Sequence, residues 1–191
     1  NVVWLFQTNT SVFTTNGEPL VKPEDFAGLK MRGVTPPFDA ALSALGSTPT
    51  AMPGSEVYQA LATGVIDGAI TDVAAAVSRK YYEVQDAFTV VPVLSAYLHG
   101  YLNPGFYDGL SDKSKSALTE AGMKASEWAI EASIEAGAAG PGQLEAKGVK
   151  VHIATPEENA ALEAVMRPAF DKSFGEGDAD SQTLLDLIAK M

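Results

Sequence analysis

Cysteine is absent from the 191-residue chain. That removes disulfides, thiolate nucleophiles and Cys-ligated zinc, and leaves the redox compartment undetermined. Arginine is scarce, with only Arg32, Arg79 and Arg167, so a site that grips a carboxylate with a planar donor fork has few candidates. Basic residues number 13 against 24 acidic ones, a net charge of −11. Such a chain lacks the basic stripe that counterion-release binding requires, so no nucleic-acid partner is expected. No apolar run approaches the ~18 residues of a membrane span; the longest, 88–94 (FTVVPVL), fits a strand, and no direct membrane insertion is expected. What remains is ordinary globular material, 46% hydrophobic and 19% charged, with enough apolar surface to offset the entropy of ordering.

The motifs of catalysis are missing too. His99 (in YLHGY) and His152 (in VKVHI) each lack a second histidine or a carboxylate at ligand spacing and read as structural or surface residues. There is no HExxH, no P-loop and no GxSxG elbow, because Pro53 and Val57 flank Ser55 where glycines belong. Asp178-Ala-Asp180-Ser-Gln182 lacks the turn glycine and the twelfth-position glutamate of a calcium loop. No metal and no cofactor are expected.

Strand and helix patterns alternate along the chain, which predicts an α/β fold. Residues 1–15 are rich in Val, Trp, Phe and Thr and read as extended; Asn16-Gly17-Glu18-Pro19 marks a turn or hairpin. Pro36 and Pro37 open a helix carried by Phe38, Ala41, Leu42 and Leu45 and stopped at Gly46. Residues 47–53, with two prolines, read as a loop, and Ser55 as the N-cap of a helix over 56–64. Strands are predicted over 65–71, 88–94, 96–103 and 149–153, Pro92 arguing for an edge or a bulge. A long helix from Asp112, with Leu118, Ala121, Ala125, Trp128 and Ala132 on one stripe, is expected to end at the Gly140-Pro141-Gly142 breaker. Thr155-Pro156-Glu157-Glu158 is a capping box ahead of the face Leu162, Val165, Met166, Ala169 and Phe170. Leu184, Leu187, Ile188 and Met191 form a last apolar stripe.

The segment 28–85 is the most informative. Gly28-Leu29-Lys30, Arg32, Leu45-Gly46, Pro49, Met52, Ser55-Glu56-Val57-Tyr58, Ala60-Leu61, Gly64-Val65, Asp67-Gly68 and Tyr82-Glu83-Val84-Gln85 occur in order. This run resembles the solute-binding proteins of TRAP (tripartite ATP-independent periplasmic) transporters, the DctP-type family, with weaker similarity from about Thr14 to the C-terminus. The resemblance implies an α/β fold of the periplasmic-binding-protein type II kind, two lobes hinged around a cleft. Mainly the second lobe and the C-terminal elements would be present here. Residues 1–15 would be the extended crossover of lobe 1, 16–105 the second lobe, 106–148 the long inter-lobe helix region, and 149–191 the C-terminal strand and helices. The opening NVVWLFQTN has neither an initiator methionine nor a charged region ahead of an apolar core. It is expected to be the interior of a longer, N-terminally truncated protein whose signal peptide has been removed.

By that resemblance the protein is periplasmic, is no enzyme, captures an organic acid and hands it to membrane permease subunits. Arg32 corresponds to the arginine that clamps the ligand carboxylate. Its place at a strand end before a Pro-initiated helix is independently where open α/β sheets put ligands. Two readings stand for Arg32, the clamp or a surface arginine paired with Asp39. Pro36, at the start of that helix, joins the expected site. Thr71 takes the place of a pocket asparagine, keeping a hydroxyl. Asp72 replaces a proline and either caps the next helix or reaches a ligand group. Gly54 replaces an aromatic, Val12 stands where some members carry a second arginine, and Leu98 where some carry a polar residue. These losses of polarity and bulk predict a monocarboxylate ligand with an apolar or aromatic body. A competing class is a small α/β enzyme using Asp67 or Asp72 as a base beside Arg32.

Overall fold

The computed structural model describes residues 1–188. Its central layer is a sheet in the order β5(Ala69–Asp72), β2(Ser11–Thr15), β6(Ala87–Val90), β8(Lys150–Ile153). Strand β2 (SVFTT) is buried along its whole length, as expected of a strand with neighbours on both edges and helices on both faces. It runs antiparallel to β5 and β6, with Val12 opposite both Thr71 and Val90. Beyond β5 lies the parallel pair β3(Lys30–Gly33) and β4(Thr48–Ala51). That pair is joined to β5 by a parallel bridge between Met31 and Gly68 and by Arg32 N–H donating to Gly68 O at 2.9 Å. Every strand of this layer except β2 therefore points the same way, and the carboxyl ends of β3, β4, β5, β6 and β8 share one edge.

Two apolar clusters sandwich the layer. On one face α1(Pro36–Ala44) and α6(Pro156–Gly175) pack Phe38, Leu42, Leu162 and Met166 against Phe13, Met31 and Ile70. On the other, α2(Val57–Ala62), α3(Val73–Ser78) and Leu144 cover Val12, Ala69, Tyr81 and Phe88. Outside this block, β1(Val2–Gln7) and β7(Tyr97–Tyr101) form an antiparallel ribbon. The ribbon packs on α5(Asp112–Glu145), a 34-residue helix roughly 50 Å long at ~1.5 Å per residue. A Cβ at Gly122 would collide with Val3 O, so glycine is what lets β1 approach that helix. The short α4(Pro104–Asp108) and the final α7(Ala179–Ile188) complete the chain.

Several expectations are corrected. Residues 48–51 form β4 and not a loop; the strand tolerates Pro49 because it is an edge. Helix α2 begins at Val57 after Glu56, and Ser55 makes no cap. The 88–94 strand ends at Val90, before Pro92, and lies inside the sheet rather than at its edge. The Gly140-Pro141-Gly142 breaker does not break α5. Gly140 is buried where a Cβ would strike Val73, so close packing on α3 outweighs the poor helix propensity of the triplet. Trp128, expected on a packed stripe, is 70% exposed. The stripe Leu184, Leu187 and Ile188 is exposed as well, and Met191 lies outside the described residues. The capping box forms as read: Thr155 Oγ1 accepts from Glu158 N–H, and Glu158 Oε2 accepts from Thr155 N–H at 2.8 Å.

Candidate functional site

Arg32 sits at the penultimate position of β3, on the same edge as the N-terminal starts of α1 and α3. Its neighbours Met31 and Gly33 turn into the core, so alternation along the strand sends its own side chain to the α2–α3 face. There the half-buried guanidinium donates from Nη1 to Ile70 O at 2.9 Å, a bond that fixes its plane. The other edge, Nε–H and Nη2–H, has no acceptor among the described residues, and Nε is buried without a partner. An orphaned buried donor is rare enough in a folded protein to require an account. The alternative pairing with Asp39 is not made: Asp39 Oδ1 accepts from Val34 N–H at 2.9 Å.

Burial lowers the Arg32 pKa more than any other influence; Tyr81 pushes it back up, Arg79 pushes it further down, and Asp72 raises it. The group nevertheless stays a cation. Asp72 forms no ion pair with it, because its Oδ1 accepts from Ala75 N–H at 2.9 Å as the N-cap of α3. The helix-cap reading of Asp72 is formed. Thr71 is buried on the same face as Arg32 and makes no side-chain hydrogen bond among the described residues. Pro36 opens α1 on the exposed rim three residues after β3.

Arg79, absent from the residues expected at the site, contacts the loop that carries one of them, Gly54. It follows α3, and its guanidinium lies against the backbone of Gly54, where a Cβ would fall on Nη1. The buried Tyr81 hydroxyl approaches Gly54 O at 3.5 Å, tying the β4–α2 loop to the same cluster. The available signal was scarcity: Arg167 is held by Glu163 and Asp171, while Arg32 and Arg79 have no carboxylate within 4.0 Å among the described residues.

Val12 is fully buried on the same α2–α3 face, directly opposite Thr71 in the β2–β5 register. Leu98 is exposed on the outlying ribbon, opposite Phe6. A cavity of about 730 Å³ between that ribbon and α5, lined by residues such as Gln7, Thr10, Ile134 and Gly137, does not include Arg32. No cluster of His, Asp or Glu among the described residues could hold a metal ion. Asp67, the other candidate base, has its carboxylate on Lys30, accepting from the backbone N–H at 2.8 Å.

Residues 2–176 match the model of the bacterial extracellular solute-binding protein family 7, DctP. The chain belongs to this family. It is 37% identical over 162 residues to the C4-dicarboxylate-binding periplasmic protein DctP of Rhodobacter capsulatus, covering 81% of this chain and 47% of that protein. A TRAP solute-binding protein from Rhodoferax ferrireducens with bound malonate superposes with a TM-score of 0.91 at 22% identity, over 99% of this chain and 60% of the other. A marine-metagenome TRAP protein in complex with pyroglutamate gives 0.87 at 26%, over 100% and 62%. The chain thus spans about half the length of that curated relative and about three fifths of those structures. The α/β fold is that of TRAP periplasmic binding proteins, in part. Family and relatives alike are named for binding solutes, which sets the enzyme reading aside.

Proposed function

We propose that this chain is the ligand-gripping part of a periplasmic solute receptor that captures an organic acid for a TRAP transporter, with Arg32 clamping the acid's carboxylate. The observation that carries the reading is the free Nε–Nη2 edge of Arg32, held in plane by Ile70 O and left without an acceptor. A carboxylate fits that edge with two parallel charge-assisted hydrogen bonds. Its position at the carboxyl edge of a parallel layer suits a ligand entering between a strand end and a helix start. The named solutes of the relatives, C4-dicarboxylates and pyroglutamate among them, are organic acids and agree with this.

The sheet with α1–α3 would be the second lobe, the ribbon part of the first, and α5 the strut between them. Permease subunits would take the closed receptor. The narrower ligand, a monocarboxylate with an apolar or aromatic body, rests on positions 12, 54, 71 and 98. Val12, buried opposite Thr71, and Leu98, exposed on the ribbon, keep that apolar character, whereas a guanidinium stands against Gly54. A thermal-shift panel of organic acids on the protein expressed from its complete gene, followed by calorimetry on Arg32→Ala, tests the clamp. Binding that survives the substitution overturns it.

A further inference from the structure

We infer that Asn16-Gly17 is a self-modification site, at which Asn16 cyclises on the Gly17 nitrogen and deamidates, and that the Asp86 carboxylate restrains it in the folded protein. The turn follows Thr15, which pairs with Ala87 at the start of β6. It therefore lies at the opposite edge of the sheet from Arg32, and the inference stands apart from the clamp.

The reaction needs a free side-chain amide, an uncrowded backbone nitrogen next to it, and loss of that nitrogen's proton. Asn16 is exposed, and its amide makes no hydrogen bond among the described residues. Gly17 adopts φ +97°, with nothing within 4 Å of where a Cβ would stand, a left-handed backbone that glycine takes without strain. The other asparagines of the chain precede Val, Thr, Pro or Ala. The two Asp-Gly pairs are tied down: Gly68 N–H donates to Lys30 O and Gly109 N–H to Gly105 O, each at 3.3 Å.

The proton is where the fold intervenes. Gly17 N–H donates to Asp86 Oδ1 at 2.6 Å. A carboxylate at that distance disfavours the nitrogen anion that cyclisation requires. Lys150 holds the same turn, its Nζ donating to Gly17 O at 2.8 Å and to Glu18 Oε1 at 2.6 Å, so its charge is shared with Glu18. When the restraint fails, the only co-reactant is water. The Gly17 N–H proton passes to hydroxide, the nitrogen bonds to Asn16 Cγ, and the Cγ–Nδ2 bond breaks. The departing group takes a proton from water and leaves as ammonia. Water then opens the five-membered imide. Attack at Cγ gives aspartate; attack at the Asn16 main-chain carbonyl gives isoaspartate, whose backbone is one carbon longer. That longer link falls between Thr15 on the ladder and Gly17 on Asp86.

The test incubates the protein expressed from its complete gene at mildly alkaline pH, both folded and in urea. No ligand is added, and conversion at Asn16 is followed by peptide mass spectrometry. In urea, Asn16 converts ahead of the other asparagines of this chain. In the folded parent it converts at least about tenfold more slowly, the factor that one pK unit imposes on an anion-dependent step. Asp86→Ala raises the folded rate at least about threefold, or half a unit, and leaves the rate in urea unchanged. Asp86→Asn keeps an acceptor oxygen without the charge; it raises the folded rate as well and carries the test if the alanine variant does not fold. Glu18→Gln removes a carboxylate of the same turn that does not touch the Gly17 N–H, and the folded rate stays near the parent's. Equal folded rates in the parent and the Asp86 variants overturn the inference. So does a folded parent that converts as fast as in urea, or a Glu18→Gln protein accelerated as much as Asp86→Ala.

Discussion

Replacing Arg32 with alanine separates binding from folding, and the structure sets the size of both effects. The free edge of the guanidinium offers a ligand carboxylate two charge-assisted hydrogen bonds, each worth ~1.5–3 kcal/mol. Their loss removes ~3–6 kcal/mol, or ~10²–10⁴-fold in Kd. The folded state loses less: one bond to Ile70 O at 2.9 Å, itself charge-assisted and worth ~1.5–3 kcal/mol. Removal of a desolvated cation offsets part of that. Arg32→Ala should therefore lose nearly all affinity in isothermal calorimetry while its circular dichroism spectrum and melting temperature stay close to the parent's. Arg32→Lys tests geometry apart from charge, since an ammonium cannot hold Ile70 O and present a second, coplanar pair of donors. It should lose at least about tenfold. An Arg32→Ala protein that binds the acid as the parent does would refute the reasoning, whatever its stability.

Three further outcomes follow from particular contacts. Asp72→Ala should cost about 1 kcal/mol in urea unfolding through loss of the α3 cap with ligand affinity unchanged; a loss of affinity without a loss of stability would return Asp72 to the ligand. Gly68→Ala places a Cβ against Thr14 O and Met31 Sδ, at the seam where β3 joins the sheet. It should destabilise the fold by about 1–3 kcal/mol, and parent-like unfolding would contradict that seam. Glu158 is held below the usual carboxylate range first by its hydrogen bond to His152 and then by Thr155 N–H. A depressed folded pKa gives stability that is whole above the unfolded carboxylate value and is lost as pH falls through the folded one. Glu158→Gln should flatten that acid limb of the stability profile; superimposable profiles would disprove it.

Much of this was readable from local chemistry. The capping box at Thr155 and Glu158, the Pro-initiated α1 and the Asp72 cap need only residues a few positions apart, and they formed as the spacing implied. Arg32 was legible for the same reason, as a scarce cation at a strand end before a helix. What escaped depends on distant partners. Residues 48–51 become a strand because β3 offers an edge; α5 runs through Gly140-Pro141-Gly142 because Val73 packs into the gap left by a missing Cβ. Sheet order, too, decides that Val12 lies in the core opposite Thr71 and Leu98 on the ribbon, which likeness of position alone did not say. The contact of Arg79 with Gly54, 25 residues earlier in the chain, was invisible because it is made only in three dimensions.

A crystal structure of the protein with an organic acid bound tests the clamp most directly. The account predicts both oxygens of one ligand carboxylate within hydrogen-bonding distance of Arg32 Nε and Nη2, with Nη1 still on Ile70 O. An acid seated elsewhere, with that edge of Arg32 open to water, would contradict it.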